Sequence, residues 1–84
     1  MSNERDQALG RYTLLKKQIF ELGVLAQSHV ESIHEEINSF TSEKDFASMD
    51  FVKVETLAKE LQKLQTEFHD KSAKMIQLKE TFNF

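Results

Sequence analysis

The sequence predicts an all-α fold, an antiparallel two-helix hairpin with helices over about 4–40 and 46–82. Three observations carry this reading. No proline occurs in the 84 residues, two long stretches carry apolar residues at helical spacing, and a short polar break separates them. The first stripe is Ala8, Tyr12, Leu15, Ile19, Leu22, Ala26, Val30, Ile33, Ile37 and Phe40. At about 100° per residue these ten positions fall within roughly 80° of arc. The break is Thr41-Ser42-Glu43-Lys44-Asp45.

The second stretch has a stricter repeat. Val54, Leu61, Phe68, Met75 and Phe82 recur every seven residues, with Leu57, Leu64, Lys71 and Leu78 at the complementary positions. Such a heptad seam is the pattern of left-handed coiled-coil packing. Lys71 is its one departure. Its stem is expected to lie along the seam with the ammonium reaching water, the alternative being a register mark against a partner carboxylate.

Helix ends are predicted from capping chemistry. Ser2 or Asn3 is placed to cap the first helix, with Glu4 and Asp6 near the positive end of its dipole. Ser42 with Asp45 resembles a capping box, and Ser48 followed by Asp50 offers a second start. The second helix is therefore expected to begin between Glu43 and Met49. Phe46, Met49 and Phe51 are expected to close the corner, and Phe84, beyond the seam, to cap the far end of the hairpin. Gly10 and Gly23 each weaken a helix by about 1 kcal/mol relative to alanine. Gly23 lies beside the stripe, where it could admit a closely approaching helix.

Composition narrows the function classes. A chain of this length forms one domain, 1–84, with a thin core. Eleven basic and fourteen acidic residues leave it mildly acidic, which gives no general attraction to nucleic acid or anionic membrane. With no cysteine there is neither a disulfide framework nor a thiolate metal site. The polar start, Met1 to Asp6, has no signal-peptide apolar run, and no stretch is long and apolar enough to span a bilayer. A cytoplasmic setting is expected.

The chemistry-bearing residues form no catalytic or metal constellation by spacing. Glu31 and His34 have the Glu-x-x-His spacing of di-iron bundles, but the stripe turns Glu31 away from the core and leaves His34 at its edge. His29 and His34 are five apart and diverge, so they lack the i, i+4 spacing of a zinc pair. His29 is expected to close the core with one nitrogen towards water, and His69 to lie on the surface. No glycine-rich elbow or phosphate loop is present. Neither an enzyme nor a cofactor or metal is expected.

Surplus apolar surface remains. Leu9, Phe20 and Val24 lie on one flank of the first stripe, and Leu14 and Leu25 on the other. Phe51, Ala58 and Ile76 form a smaller group outside the second seam. A helix apolar on most sides is normally buried on more than one. These five flank residues, Leu9, Leu14, Phe20, Val24 and Leu25, are the expected partner-binding set. The expected function is a protein–protein interaction module, a small adaptor, chaperone or inhibitor that docks this face. Its partner is a second copy, giving a four-helix bundle dimer, a different protein, or both. An RNA-binding hairpin dimer is the alternative, disfavoured because Arg11, Lys16 and Lys17 point in three directions and the lysines of the second helix alternate with acids.

Overall fold

The computed structural model describes residues 2–84, residue 2 by its backbone alone. The chain forms α1 (Ser2–Asn38), α2 (Glu43–Ser48) and α3 (Phe51–Phe82), with α1 and α3 packed along each other. The molecule is a rod of 67 × 15 × 14 Å. A single helix–helix seam covers each side chain from one direction only. Ala8 is accordingly the one fully buried residue among those described.

The start of α1 lies outside the predicted caps. Asn3 is inside the helix, the side chain of Ser2 falls outside the described residues, and of the two acids only Glu4 sits in the first turn. The end is closer to expectation. The helix stops at Asn38, where Ser39 Oγ donates to the Glu36 carbonyl (2.8 Å) and Phe40 N–H to Ile37 (3.2 Å).

The break and the second helix differ from the prediction in one respect. Both candidate start signals are used, so the expected single helix from 46 is two helices. Ser42 caps α2 by accepting from the Asp45 amide (3.4 Å), and Asp50 caps α3 by accepting from the Lys53 amide (2.9 Å). Extended backbone at Met49 separates them. A carboxylate cap inserted into the helical run at Asp50 satisfies the new N-terminus and thereby permits the kink. The long second helix therefore starts at Phe51, just past the predicted interval.

The α3 seam is the predicted heptad, with Val54, Leu57, Leu61, Leu64, Lys71, Met75, Leu78 and Phe82 half-buried. The α1 seam is not the predicted stripe throughout. Its covered positions are Ala8, Tyr12, Leu15, Ile19, Leu22, Ala26, His29, Ile33 and Glu36, spaced alternately by four and three. Val30, Ile37 and Phe40, expected in the core, are exposed. The physical reason is supercoiling: a seam of period 3.5 drifts about 20° per heptad from a 3.6-residue projection. Over three heptads the drift is about 60°, enough to bring His29 and Glu36 into the seam in place of Val30 and Ile37 while Ile33 stays in it. Phe40 lies past the end of α1 at Asn38.

The corner is an aromatic cluster. Phe40 and Phe46 meet edge-to-face with ring centroids 6.0 Å apart, and Phe46 and Phe51 lie 5.6 Å apart. Met49 is half-buried beside them, while the three rings keep a large exposed surface. At the other end Asn83 adopts a left-handed conformation (φ 60°) and turns the chain back. Phe84 then covers Tyr12 with ring centroids 5.3 Å apart, stacks on Phe82 at 5.9 Å, and lies beneath the Arg5 guanidinium at 5.2 Å. This is the end cap expected of it.

Candidate functional site

Among the described residues three polar contacts cross the hairpin. Lys71 Nζ donates to Gln18 Oε1 at 2.9 Å, His29 Nε2 meets Glu60 Oε2 at 2.7 Å, and the Asp50 amide donates to Glu36 Oε1 at 2.8 Å. Gln18 and His29 are eleven residues apart on α1, and Glu60 and Lys71 eleven apart on α3, so both contacts obey one antiparallel register. Lys71 thus marks register as well as lying along the seam. Its partner is an amide rather than the carboxylate considered, and Glu67 lies 3.8 Å away on its own helix. His29 lies at the seam, and its Nε2 has a partner that the sequence did not indicate. Its side chain is 16% exposed and its Nε2 faces Glu60.

The two flat sides of the hairpin differ in character. In a heptad lettered with Tyr12, Ile19, Ala26 and Ile33 at a, the α1 e line is Leu9, Lys16, Gly23, Val30 and Ile37. The α3 e line is Phe51, Ala58, Gln65, Ser72 and Lys79. An antiparallel pair places e beside e and g beside g. The g lines are Arg11, Gln18, Leu25 and Ser32 on α1, with Lys53, Glu60, Glu67 and Lys74 on α3. One side is therefore predominantly apolar and the other predominantly charged.

The predicted partner-binding residues divide between these sides. All five are exposed, Phe20 most of all at 71%. Leu9 and Phe20 border the apolar side, with Val24 beyond them. Leu14 lines a groove with Gln18 and Lys74 on the charged side, and Leu25 lines another with Gln18, Glu67 and Lys71. They do not form one patch.

The apolar side has a hollow that the five predicted residues did not include. Gly23 and Ala26 of α1 face Ala58, Leu61, Gln65 and Phe68 of α3 around an open groove of about 610 Å³. Phe68 occupies an a position yet remains 39% exposed, because the small side chains opposite leave its ring uncovered. A Cβ built on Gly23 meets nothing within 4 Å, so α3 does not need the glycine for its approach. The signal available in the sequence was the coincidence of Gly23 and Ala58 on e lines.

Surface charge offers little organisation. Lys17 pairs with Glu21 at 4.0 Å and Lys59 with Glu55 at 3.1 Å, both exposed i, i+4 pairs of small worth. His34 Nδ1 lies 3.0 Å from Asn38 Nδ2, and Glu31 accepts from Gln27 at 3.5 Å, so the Glu-x-x-His pair is engaged along its own helix. Among the described residues no three His, Cys, Asp or Glu side chains are grouped to hold a metal ion, and no helix is long and apolar enough to cross a membrane. The strongest electrostatic perturbation is at the corner. Thr41 and Ser42 hydroxyls donate to the Asp45 carboxylate, the Thr41 contact being the larger cause of its lowered pKa.

No family model, curated protein or solved structure matches the chain.

Proposed function

We propose that the chain is a non-enzymatic protein–protein interaction module, a small cytoplasmic adaptor, chaperone or inhibitor, acting by docking the exposed apolar face of α1. The observation that carries this reading is the amount of large apolar surface left in water. Leu9, Leu14, Phe20, Val24, Leu25, Val30 and Ile37 are all exposed on one helix. Scattered surface leucines are ordinary, but Leu9, Val30 and Ile37 share one line of α1 with Phe20 beside it, and an apolar line of this kind supports docking.

The mode suggested is helix against helix, with apolar anchors at i, i+3, i+4 and i+7 spacing entering a facing groove. Phe20 is the strongest anchor by size and exposure, since aromatic side chains dominate interface energetics. Occlusion or scaffolding is the mechanism this supports. A four-helix bundle is the natural product when the partner is itself a helix pair. No specific observation favours the RNA-binding alternative: Lys17, Lys59 and Lys71 each face an acid of their own helix, and the lysines of α3 alternate with acids along the sequence.

Capture of partners from the native host by wild type, Phe20→Asp and Leu25→Asp tests the reading. Wild type should retain a defined protein, and at least one substitution should abolish retention. Equal retention by all three would rule out the α1 face.

A further inference from the structure

We infer that the occupant of the apolar side is a second copy of this chain, packed antiparallel about a two-fold axis that passes beside Gly23. The inference rests on the docking reading and names its partner and geometry.

The first argument is area. A monomeric protein of 9.8 kDa exposes about 5,200 Å², whereas this chain exposes 6711 Å². The excess, about 1,500 Å², is roughly twice the 800 Å² per partner of a stable interface. A long shared face removes it; a small ligand does not.

The second argument is the choice of face. A two-stranded coiled coil needs apolar residues at a and d alone, while a helix in a bundle also carries them at e or g. Here the e line of α1 is apolar at Leu9, Val30 and Ile37, while the g lines carry Arg11, Lys53, Glu60, Glu67 and Lys74 against only Lys16 and Lys79 on the e lines. The second neighbour therefore belongs on the e side.

The third argument is self-complementarity. Leu9 and Ile37 stand equally far from Gly23 on the same line, as do Lys16 and Val30. A two-fold axis at Gly23 sets Leu9 against Ile37 of the other copy and lays the Lys16 stem along Val30. In the observed register the axis crosses α3 between Gln65 and Phe68, which sets Ala58 against Ile76. Phe20, one turn from the axis, projects into the hollow beside the partner's glycine. The open space at Gly23 and the uncovered ring of Phe68 are both filled by this arrangement. A glycine at mid-helix that its own hairpin does not require is explained by a helix crossing there.

The chain has no cysteine, so single-cysteine variants report proximity directly. Sedimentation equilibrium of wild type over a wide concentration range should give two chains per particle, and Phe20→Asp should weaken association by at least about 100-fold. Gly23→Cys, checked for helicity by circular dichroism, should cross-link to itself with a short bismaleimide. Leu9→Cys and Ile37→Cys, both at exposed sites, should each fail alone and cross-link when mixed. A dimer in which Gly23→Cys fails to cross-link, or Leu9→Cys cross-links to itself, would overturn the axis while leaving the docking reading intact. A monomer at every concentration would overturn the second copy as partner. If host capture by the aspartate variants were also unchanged, the docking reading would fall as well.

Discussion

Lys71, the one polar residue in the α3 heptad line, reaches across the hairpin to hydrogen-bond Gln18. The pair adds orientation more than energy, because a partly buried ammonium gives up hydration that one amide oxygen only partly replaces. It also fixes register together with His29 and Glu60. Sliding the helices by one residue would break both contacts.

Replacing Lys71 with leucine should therefore stabilise the fold, by about 1 kcal/mol, through apolar burial at a d position. Urea unfolding of wild type and Lys71→Leu at one protein concentration measures this. A lower midpoint for the leucine variant would mean that the Gln18 contact outweighs burial.

The α3 seam was legible because its heptad is written in large apolar residues from Val54 to Phe82. On α1 a 3.6-residue projection and the 3.5-residue seam coincide through Ala26 and then differ, so Val30 and Ile37 lie off the seam. Glu36 takes a seam place that the apolar stripe does not give it, and His29, expected at the core edge, is a seam position. Both are polar, and hydrophobic periodicity is blind to a seam position satisfied by a hydrogen bond. The corner was legible in its caps, Ser42 and Asp50, but whether either or both would act depends on Glu36 receiving the Asp50 amide. The exposure of Leu9, Leu14, Phe20, Val24 and Leu25 could be read from arc alone. Their division between two faces could not be weighed without the register that places Gly23 opposite Phe68.

Glu36 is the acceptor that ties the start of α3 to α1. Glu36→Ala should speed hydrogen exchange at the Asp50 amide and lower stability by about 1 kcal/mol, the net worth of one such bond. Glu36→Gln keeps an acceptor oxygen and should leave exchange nearly unchanged. Equal exchange in the alanine variant and wild type would show that water replaces the contact without loss.

Asp45 gives the corner a pH dependence of known sign. The hydroxyl of Thr41, then that of Ser42, holds its carboxyl below the ordinary value of 3.8. A lowered folded pKa favours the folded corner above pH 3.8, and this contribution is lost as pH falls through the lower folded value. Near pH 7 it is fully present. Carboxyl-carbon NMR titration should place the Asp45 midpoint below 3.8, and Thr41→Val should raise it towards that value. An unchanged midpoint in the valine variant would remove the Thr41 hydroxyl as the cause.

Phe84 closes the far end by stacking on Phe82 and covering Tyr12. The turn that delivers it depends on the left-handed Asn83, whose amide, like that of Phe84, donates to the Lys79 carbonyl. Truncating the ring in Phe84→Ala removes one aromatic pair with Tyr12, another with Phe82 and the stacked Arg5, so a loss of about 1–2 kcal/mol is expected. Near-UV circular dichroism should report the same event, because Tyr12 is the only tyrosine in the chain. Asn83→Gly relieves the left-handed strain and should hold or slightly raise stability, by up to about 0.5 kcal/mol, with the tyrosine signal preserved. Should Phe84→Ala leave both the unfolding midpoint and the tyrosine signal unchanged, the ring would lie against the end without stabilising it, and Tyr12 would be held by the α1–α3 seam alone.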